Sequence, residues 1–167
     1  MDIAISVILL IIVIPTAYAA VIGAPIVPSA GKNIKRALIE AGVGEGSCFY
    51  ELGTGTGRVS REALKMGASV TGFELSPLAW VWSFISLAST GKPFKLKFRN
   101  FFKEDLRDAD VLYIFLMPDP IKKLAKKLEK ELRNGSTVIS YVFPITSREP
   151  ERIISEEGQA NIYIYKV

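Results

Sequence analysis

Residues 49–58 read FYELGTGTGR and are the most informative stretch of the chain. Glycines at alternate positions let the backbone turn sharply from a strand into a helix, and they let a ligand touch bare main chain. The spacing is G-x-G-x-G, which differs from the G-x-G-x-x-G of dinucleotide binders, and no Lys-Ser/Thr pair follows as in a P-loop. The stretch therefore predicts a strand, a cofactor-binding loop and a helix.

Two acidic side chains accompany the glycine loop. Glu51 stands just before the turn, where a carboxylate repels a pyrophosphate and attracts a ligand with a cationic end. Glu74 closes the next predicted strand, about twenty residues further on, where a carboxylate accepts hydrogen bonds from both hydroxyls of a ribose. S-adenosylmethionine combines a ribose with a sulfonium and an ammonium group. The glycines and the two acids together therefore favour this methyl donor over a phosphate-linked coenzyme.

Hydrophobic periodicity predicts alternating helices and strands along the rest of the chain. The predicted helices cover residues 32–41, 58–66, 77–89 and 121–133, and the predicted strands cover 47–52, 69–74, 94–98, 111–116, 137–143 and 161–166. The strand over 111–116 is wholly apolar, which is typical of strands buried in parallel sheets. We therefore expect an α/β domain with a Rossmann-like, doubly wound, mostly parallel sheet.

The N-terminal segment contains no charged residue from position 3 to position 27. This length exceeds the roughly 20 apolar residues that a helix needs to cross a bilayer. Residues 17–19, Ala-Tyr-Ala, resemble the cleavage site of a signal peptide, but the first two residues carry no Lys or Arg as a signal peptide would. The segment therefore predicts one uncleaved transmembrane helix.

The predicted domain organisation is a transmembrane anchor over residues 1–27 and a catalytic domain over residues 28–167. Lys32, Lys35 and Arg36 follow the anchor closely, whereas only one acid precedes it. The positive-inside rule then predicts a single-pass membrane protein with its catalytic domain in the cytoplasm.

Composition narrows the possible chemistry. The 167 residues contain no histidine and a single cysteine, Cys48. A disulfide framework is therefore excluded, and zinc sites and histidine-dependent triads lose their usual residue, so we expect no metal. The formal net charge of +4 suits an acidic partner or an anionic membrane and is too small to indicate nucleic acid by itself.

Three further segments recur together with the glycine loop in one family. They are PIVPS at 25–29, GFELSP at 72–77 and RNFF at 99–102. With ELGTGTGR they resemble the class I S-adenosylmethionine-dependent methyltransferases. More closely, they are similar to the archaeal protein-lysine methyltransferases and to the membrane-anchored mitochondrial enzymes that methylate lysine in the ATP synthase c-subunit and the adenine nucleotide translocase. The resemblance extends from Pro25 to the end of the chain.

The resemblance implies a cofactor site made of nine residues. They are Glu51, Gly53, Thr54, Gly55, Gly57, Glu74, Leu75, Asn100 and Phe101. In this assignment Glu51 lies near the methionine moiety and Glu74 holds the ribose. Leu75, Asn100 and Phe101 contact the adenine, although many relatives have Asp at the position of Asn100.

The resemblance also implies where the methyl acceptor approaches. One group lies in a loop over the cofactor and the lysine channel and comprises Pro25, Val27, Pro28 and Ser29. The other group follows the fourth predicted strand and comprises Leu116, Met117 and Pro118. The Asn/Asp-Pro-Pro-Tyr/Phe signature of enzymes that methylate exocyclic base nitrogens is absent from the second group. We therefore expect a protein substrate that presents lysine, associated with a membrane, and no nucleic acid partner.

Methyl transfer to lysine requires an unprotonated amine, whose lone pair attacks the methyl group. The free side chain has a pKa of about 10.4 and is therefore protonated at neutral pH. Positioning and removal of water supply much of the catalysis, and the sulfonium lowers the pKa of the amine by repulsion between like charges. Asp119 and Tyr141, at strand ends, are the candidate proton acceptors.

The sequence thus predicts a membrane-anchored protein-lysine N-methyltransferase that uses S-adenosylmethionine. One alternative is a methyltransferase for a small molecule or lipid, such as a quinone precursor. Another is a non-catalytic module that binds the cofactor. The uncharged helix over 77–89 also has two interpretations: Trp80 or Trp82 rests on a membrane surface, or the small residues Ala79, Ser83 and Ser86 form its outer face.

Overall fold

A computed structural model describes residue 13 and residues 32–167 of the chain. The helices are α1 (Lys32–Glu40), α2 (Arg58–Lys65), α3 (Pro77–Ala88) and α4 (Pro118–Glu131), with a short 3-10 helix at Phe101–Lys103. The strands are β1 (Cys48–Leu52), β2 (Ser69–Glu74), β3 (Lys95–Phe98), β4 (Val111–Ile114), β5 (Thr137–Tyr141), β6 (Arg152–Ile154) and β7 (Ile162–Lys166). Helices and strands alternate through β5 except between β3 and β4, where the predicted elements also contain no α-helix.

The strands form one seven-stranded sheet in the order β3-β2-β1-β4-β5-β7-β6. The first five strands are parallel to one another, whereas β7 runs antiparallel to both β5 and β6. The order reverses between β1 and β4, which is where open α/β sheets bind their ligands. The predicted Rossmann-like, mostly parallel sheet is therefore confirmed.

The sheet is covered on both faces by apolar side chains. Residues of α1, α2 and α3 pack with Phe49, Val111 and Tyr113 into one cluster. Residues of α4 pack with Leu112 and Ile114 into the other. Neighbouring residues of β4 thus point to opposite faces, and every one of them is buried, as expected for a central parallel strand.

Several predicted boundaries differ from the observed ones by one to three residues, and one strand, β6, was not predicted. Helix α4 begins at Pro118, three residues before the predicted start, because proline fits the first helical turn. Strand β5 ends at Tyr141 because the next residue, Val142, has a φ of 70°. Strand β6 is a short, mostly exposed partner of β7, and its alternation is too weak to have been recognised in the sequence.

The membrane prediction requires correction. Within residue 13 and residues 32–167, no helix is both long enough and apolar enough to cross a bilayer. This finding contradicts the predicted single-pass localisation with a cytoplasmic catalytic domain. Apart from Val13, the anchor predicted over residues 1–27 lies outside the described residues, and the domain boundary at residue 28 stays a prediction.

The outer face of α3 is apolar. Leu78, Val81, Trp82 and Ile85, spaced as one helical stripe, are all more than half exposed. Ala79 and Ser83 are instead buried against the domain. The interpretation in which small residues form the outer face of this helix is therefore wrong for Ala79 and Ser83, whereas Ser86 is partly exposed.

Candidate active site

The carboxyl ends of the parallel strands bring the predicted site together at one edge of the sheet. Because β1, β2, β4 and β5 run in the same direction within one sheet, the residues that follow them lie at this same edge. The glycine loop follows β1 and Leu75 follows β2. The acceptor residues 116–118 follow β4, and Tyr141 ends β5.

The glycine loop has the backbone that its sequence predicts. Gly53, Gly55 and Gly57 have φ angles of 85°, 53° and 71°, which are left-handed conformations that favour glycine. The N–H groups of Gly53 and Thr54 both donate to the Phe73 carbonyl of β2, at 2.9 and 3.0 Å. These bonds attach the start of the loop to the neighbouring strand.

The third glycine also lets α3 approach the loop. A Cβ atom at Gly57 would lie 2.7 Å from the Ser83 Oγ and 3.1 Å from the Ser83 Cα. Both distances are shorter than ordinary Cβ contacts, and a Cα cannot rotate away as a side chain can. Glycine at position 57 is therefore required both by its φ angle and by the packing of α3.

We expect Gly57→Ala to lower the free energy of unfolding by more than Gly91→Ala does. Gly91 has a similar φ of 67°, but a Cβ atom there would meet nothing within 4 Å, so its substitution reports the backbone strain alone. That strain costs about 1–2 kcal/mol, and the contact with Ser83 adds about 1–3 kcal/mol at Gly57. Urea unfolding of both variants measures the difference, and equal losses would contradict the packing role.

Glu74 closes β2 and is only 7% exposed. Its Oε2 accepts a hydrogen bond from the Gly55 N–H at 2.8 Å, and its Oε1 accepts from the N–H groups of Leu75 and Ser76, each at 2.8 Å. One carboxylate thus joins the tip of the glycine loop to the turn after β2. It lies where the sequence places the partner of a ribose.

Glu51 is more deeply buried, with 3% of its surface exposed. Its Oε2 accepts hydrogen bonds from both the backbone N–H and the hydroxyl of Ser60, in the first turn of α2. Burial raises the pKa of Glu51 to about 8, and the neighbouring Glu74 contributes to the increase, whereas the two Ser60 hydrogen bonds oppose it. A buried carboxyl group of this kind gains from a cationic ligand, which favours its ionised form.

The other predicted cofactor residues lie around the same edge. Asn100 follows β3, and its side-chain oxygen accepts a hydrogen bond from the Phe102 N–H at 3.0 Å. Phe101 is buried beside Phe102, with ring centroids 4.6 Å apart. The hydroxyl oxygen of Thr54 is buried without a hydrogen-bond partner among the described residues. An unpartnered hydroxyl in the loop fits a site that is completed by a polar ligand.

The two candidate proton acceptors differ in their exposure to solvent. The side chain of Asp119 is 92% exposed and lies 3.3 Å from the Nζ of Lys122, so it faces solvent on the first turn of α4. Tyr141 is 7% exposed and packs edge-on against Phe115. Both roles remain predictions.

The substrate residues are only partly described. Leu116 is buried, and Met117 and Pro118 are exposed. Pro25, Val27, Pro28 and Ser29 lie outside the described residues. Sequence reasoning missed two further residues, Ser60 and Phe115. The position of Ser60 in the first helical turn after the loop was the available signal for a hydrogen-bond partner of Glu51.

A family comparison agrees with this geometry. The model of the ANTKMT methyltransferase domain matches residues 51–152. The matched range begins at the buried acid Glu51 near the end of β1, and it includes Glu74 and the other four parallel strands. This chain belongs to that family. The predicted resemblance is therefore confirmed.

Curated relatives of the chain include archaeal and animal proteins. A protein-lysine N-methyltransferase of Saccharolobus islandicus is 32% identical, and the match covers 86% of this chain and 93% of that protein. The Homo sapiens lysine N-methyltransferase of the ATP synthase c-subunit is 30% identical over 84% of this chain. The adenine nucleotide translocase lysine N-methyltransferase of Mus musculus is 30% identical over 71%. The matches span only 60% and 53% of these two mammalian proteins.

Two solved structures share the fold of this chain, and one of them contains S-adenosyl-L-homocysteine. An RNA methyltransferase from Salinibacter ruber, determined with S-adenosyl-L-homocysteine, has a TM-score of 0.79 and 28% identity, with 84% of this chain and 94% of that chain covered. A ribosomal protein L11 methylase from Lactobacillus delbrueckii has a TM-score of 0.68 at 15% identity, covering 83% and 81% of the two chains, and shows the fold alone. This member of the ANTKMT family is an S-adenosylmethionine-dependent methyltransferase.

Proposed function

We propose that the chain is a protein-lysine N-methyltransferase. The observation that carries this proposal is the contrast between two parts of one sheet edge. The cofactor part presents the buried acids Glu51 and Glu74 beside the glycine loop, whereas residues 115–118 and 142–144 carry no charged side chain. The names of the archaeal and mammalian relatives support lysine as the acceptor.

The cofactor side holds a ligand that has both a diol and positive charge. In this proposal Glu74 accepts hydrogen bonds from the ribose hydroxyls, and Glu51 balances the charge of the methionine moiety. Thr54 supplies its buried, unpartnered hydroxyl within the glycine loop. When bound, S-adenosylmethionine supplies an electrophilic methyl group.

The acceptor side prepares the amine. A lysine amine in water is protonated at neutral pH, since its pKa is about 10.4. The apolar residues at 115–118 and 142–144 exclude water from the amine, which lowers its pKa and frees its lone pair. They also hold the side chain in line with the methyl group, and such positioning contributes strongly to the rate. Asp119 and Tyr141 remain the candidates for accepting the proton.

Transfer of labelled methyl groups tests the proposal. The purified chain is incubated with S-adenosylmethionine labelled in the methyl group and with an extract of the source cells, which is then separated into protein, lipid, nucleic acid and small molecules. We expect label in protein and, after acid hydrolysis, in N-methyllysine, with none from a Glu74→Ala control. Label in lipid or small molecules would support the alternative methyltransferase, and no transfer at all would indicate a binding module.

A further inference from the structure

Phe115 and Tyr141 form an aromatic pair where β4 and β5 end, next to the predicted acceptor residues 116–118. Strands β4 and β5 are in register with Ile114 opposite Ser140, so Phe115 and Tyr141 are the next pair along. Their ring centroids are 5.0 Å apart, and the rings meet at 82° in an edge-to-face contact. Tyr141 is buried, and Phe115 is partly exposed. The pair forms an apolar wall at the ends of two central strands.

A strained turn holds this wall from the side of β5. Among the residues described, Val142 is the non-glycine residue with a positive φ, at 70°. A β-branched side chain strongly disfavours this conformation. Its N–H donates to the Asn161 carbonyl at 2.9 Å, and the Phe143 N–H donates to the Tyr141 carbonyl at 3.0 Å. The Ser140 hydroxyl closes the turn by donating to the Phe143 carbonyl at 2.6 Å.

The place of the turn suggests a function for its strain. Strained residues persist only where their surroundings fix them, and they concentrate at active sites and ligand clamps. The turn lies at the edge that also carries the glycine loop and Glu74, two strands from β1. The wall that it fixes is flanked by uncharged residues only, over 115–118 and 142–144. An apolar, rigid wall suits the aliphatic stem of a lysine side chain and the amine at its end.

We propose that Phe115 and Tyr141 form the wall of the acceptor channel, and that Val142 is a positioning residue that holds Tyr141 in place. This proposal rests on the proposed lysine methyltransferase function and assigns a further part of that site. The ring of Tyr141, rather than its hydroxyl, makes the contact with the lysine stem. The wall therefore acts on the methyl acceptor and leaves the cofactor site unchanged.

A matched pair of substitutions tests the wall. Phe94 is also partly exposed and meets Phe84 edge-to-face at 5.6 Å, but it precedes β3 and so lies at the opposite edge of the sheet. We expect Phe115→Ala to slow the formation of N-methyllysine in cell extract at least ~10-fold. Its affinity for S-adenosylmethionine, measured by calorimetry, should change less than about twofold. Phe94→Ala should lose a similar amount of thermal stability but keep its rate.

Substitutions at Tyr141 and Val142 test the two remaining parts of the proposal. Tyr141→Phe keeps the ring and removes only the hydroxyl, so it should methylate at least ~10-fold faster than Tyr141→Ala, which removes the ring. Val142→Asn should be at least ~10-fold faster than Val142→Pro, because asparagine tolerates the left-handed conformation. Val142→Pro forces φ to a negative value and removes the N–H that binds Asn161, so it should lose the rate while still binding the cofactor.

Three results would overturn the proposal. Phe115→Ala could methylate at the wild-type rate, it could lose cofactor affinity in parallel with its rate, or Tyr141→Phe could be as slow as Tyr141→Ala. If the wild-type chain makes no N-methyllysine, the proposed function fails and the wall fails with it. If the wild-type chain makes N-methyllysine and Phe115→Ala does so equally fast, only the wall is wrong.

Discussion

Replacing Glu74 by alanine is expected to weaken the binding of S-adenosylmethionine at least ~100-fold. We propose that this carboxylate accepts hydrogen bonds from both ribose hydroxyls, and each bond to a charged acceptor is worth about 1.5–3 kcal/mol. The side chain also receives the N–H groups of Gly55, Leu75 and Ser76, so its removal loosens the loop around the ligand. Calorimetric titration with S-adenosylmethionine measures the loss.

A control separates this effect from a general loss of charge. Glu62 is not among the buried residues of α2, and its carboxylate pairs with Lys65 at 2.9 Å. Glu62→Ala removes one carboxylate as well, and it should bind the cofactor with wild-type affinity. Circular dichroism and thermal unfolding establish that both variants are folded. Wild-type affinity in a folded Glu74→Ala protein would refute the assignment of this residue.

The second large effect concerns pH and Glu51. Burial raises the pKa of Glu51 in the folded chain to about 8, from 4.5. Well below pH 4.5 the group is protonated whether the chain is folded or unfolded. As the pH rises toward 8, the unfolded chain ionises first, so the folded state loses about 1.4 kcal/mol of stability per pH unit relative to the unfolded state. The loss is complete once the folded group has also ionised.

Glu51→Gln removes this titration. We expect the free energy of unfolding of the variant, relative to the wild-type chain, to rise by several kcal/mol (up to about 5) between about pH 4.5 and pH 9. Urea unfolding at a series of pH values measures it. Glu62→Gln, which replaces a carboxylate outside the core, serves as the control. A constant difference across this range would show that Glu51 is ionised in the folded chain at neutral pH.

The same group links pH to cofactor binding. Because a cationic ligand favours the ionised form of Glu51, cofactor binding at neutral pH should release protons. The release appears as a binding enthalpy that changes with the ionisation enthalpy of the buffer. The dependence should be absent from Glu51→Gln if this carboxyl group is the source.

The cofactor half of the site was accessible to sequence reasoning because its determinants are local. Three glycines at fixed spacing need left-handed backbone, and all three adopt it. An acid that closes a strand is brought to the loop by parallel pairing, and Glu74 indeed bonds to Gly55. The strands and helices were also predictable from local sequence, because a strand that is buried on both faces is a continuous apolar run, as over residues 111–116.

The acceptor half depends on contacts between distant segments, and sequence reasoning found less of it. Phe115 and Tyr141 are neighbours only because β4 and β5 pair in a particular register, and nothing in either segment indicates that contact. Valine prefers extended backbone, but Val142 lies in a turn with a positive φ. The predicted β5 is therefore two residues longer than the observed strand. Local preference was overridden there by hydrogen bonds to Asn161 and within the turn itself.

The surface was also misjudged where side-chain size was used as a guide. One interpretation placed the small residues of α3, among them Ala79 and Ser83, on its outer face. Small residues instead allow this helix to approach the glycine loop. Ser83 is fully buried and lies against Gly57, and Trp82 is 65% exposed. Close packing of two backbones needs small residues on the buried side, and this requirement outweighed the hydrophobicity of the larger ones.

A crystal structure of the chain with S-adenosyl-L-homocysteine would show directly whether Glu74 holds the ribose at the carboxyl ends of the parallel strands. We expect both ribose hydroxyls within hydrogen-bond distance of the Glu74 carboxylate, with the sulfur directed toward Phe115 and Tyr141. A ribose bound elsewhere, or a sulfur directed away from the ends of β4 and β5, would contradict this expectation.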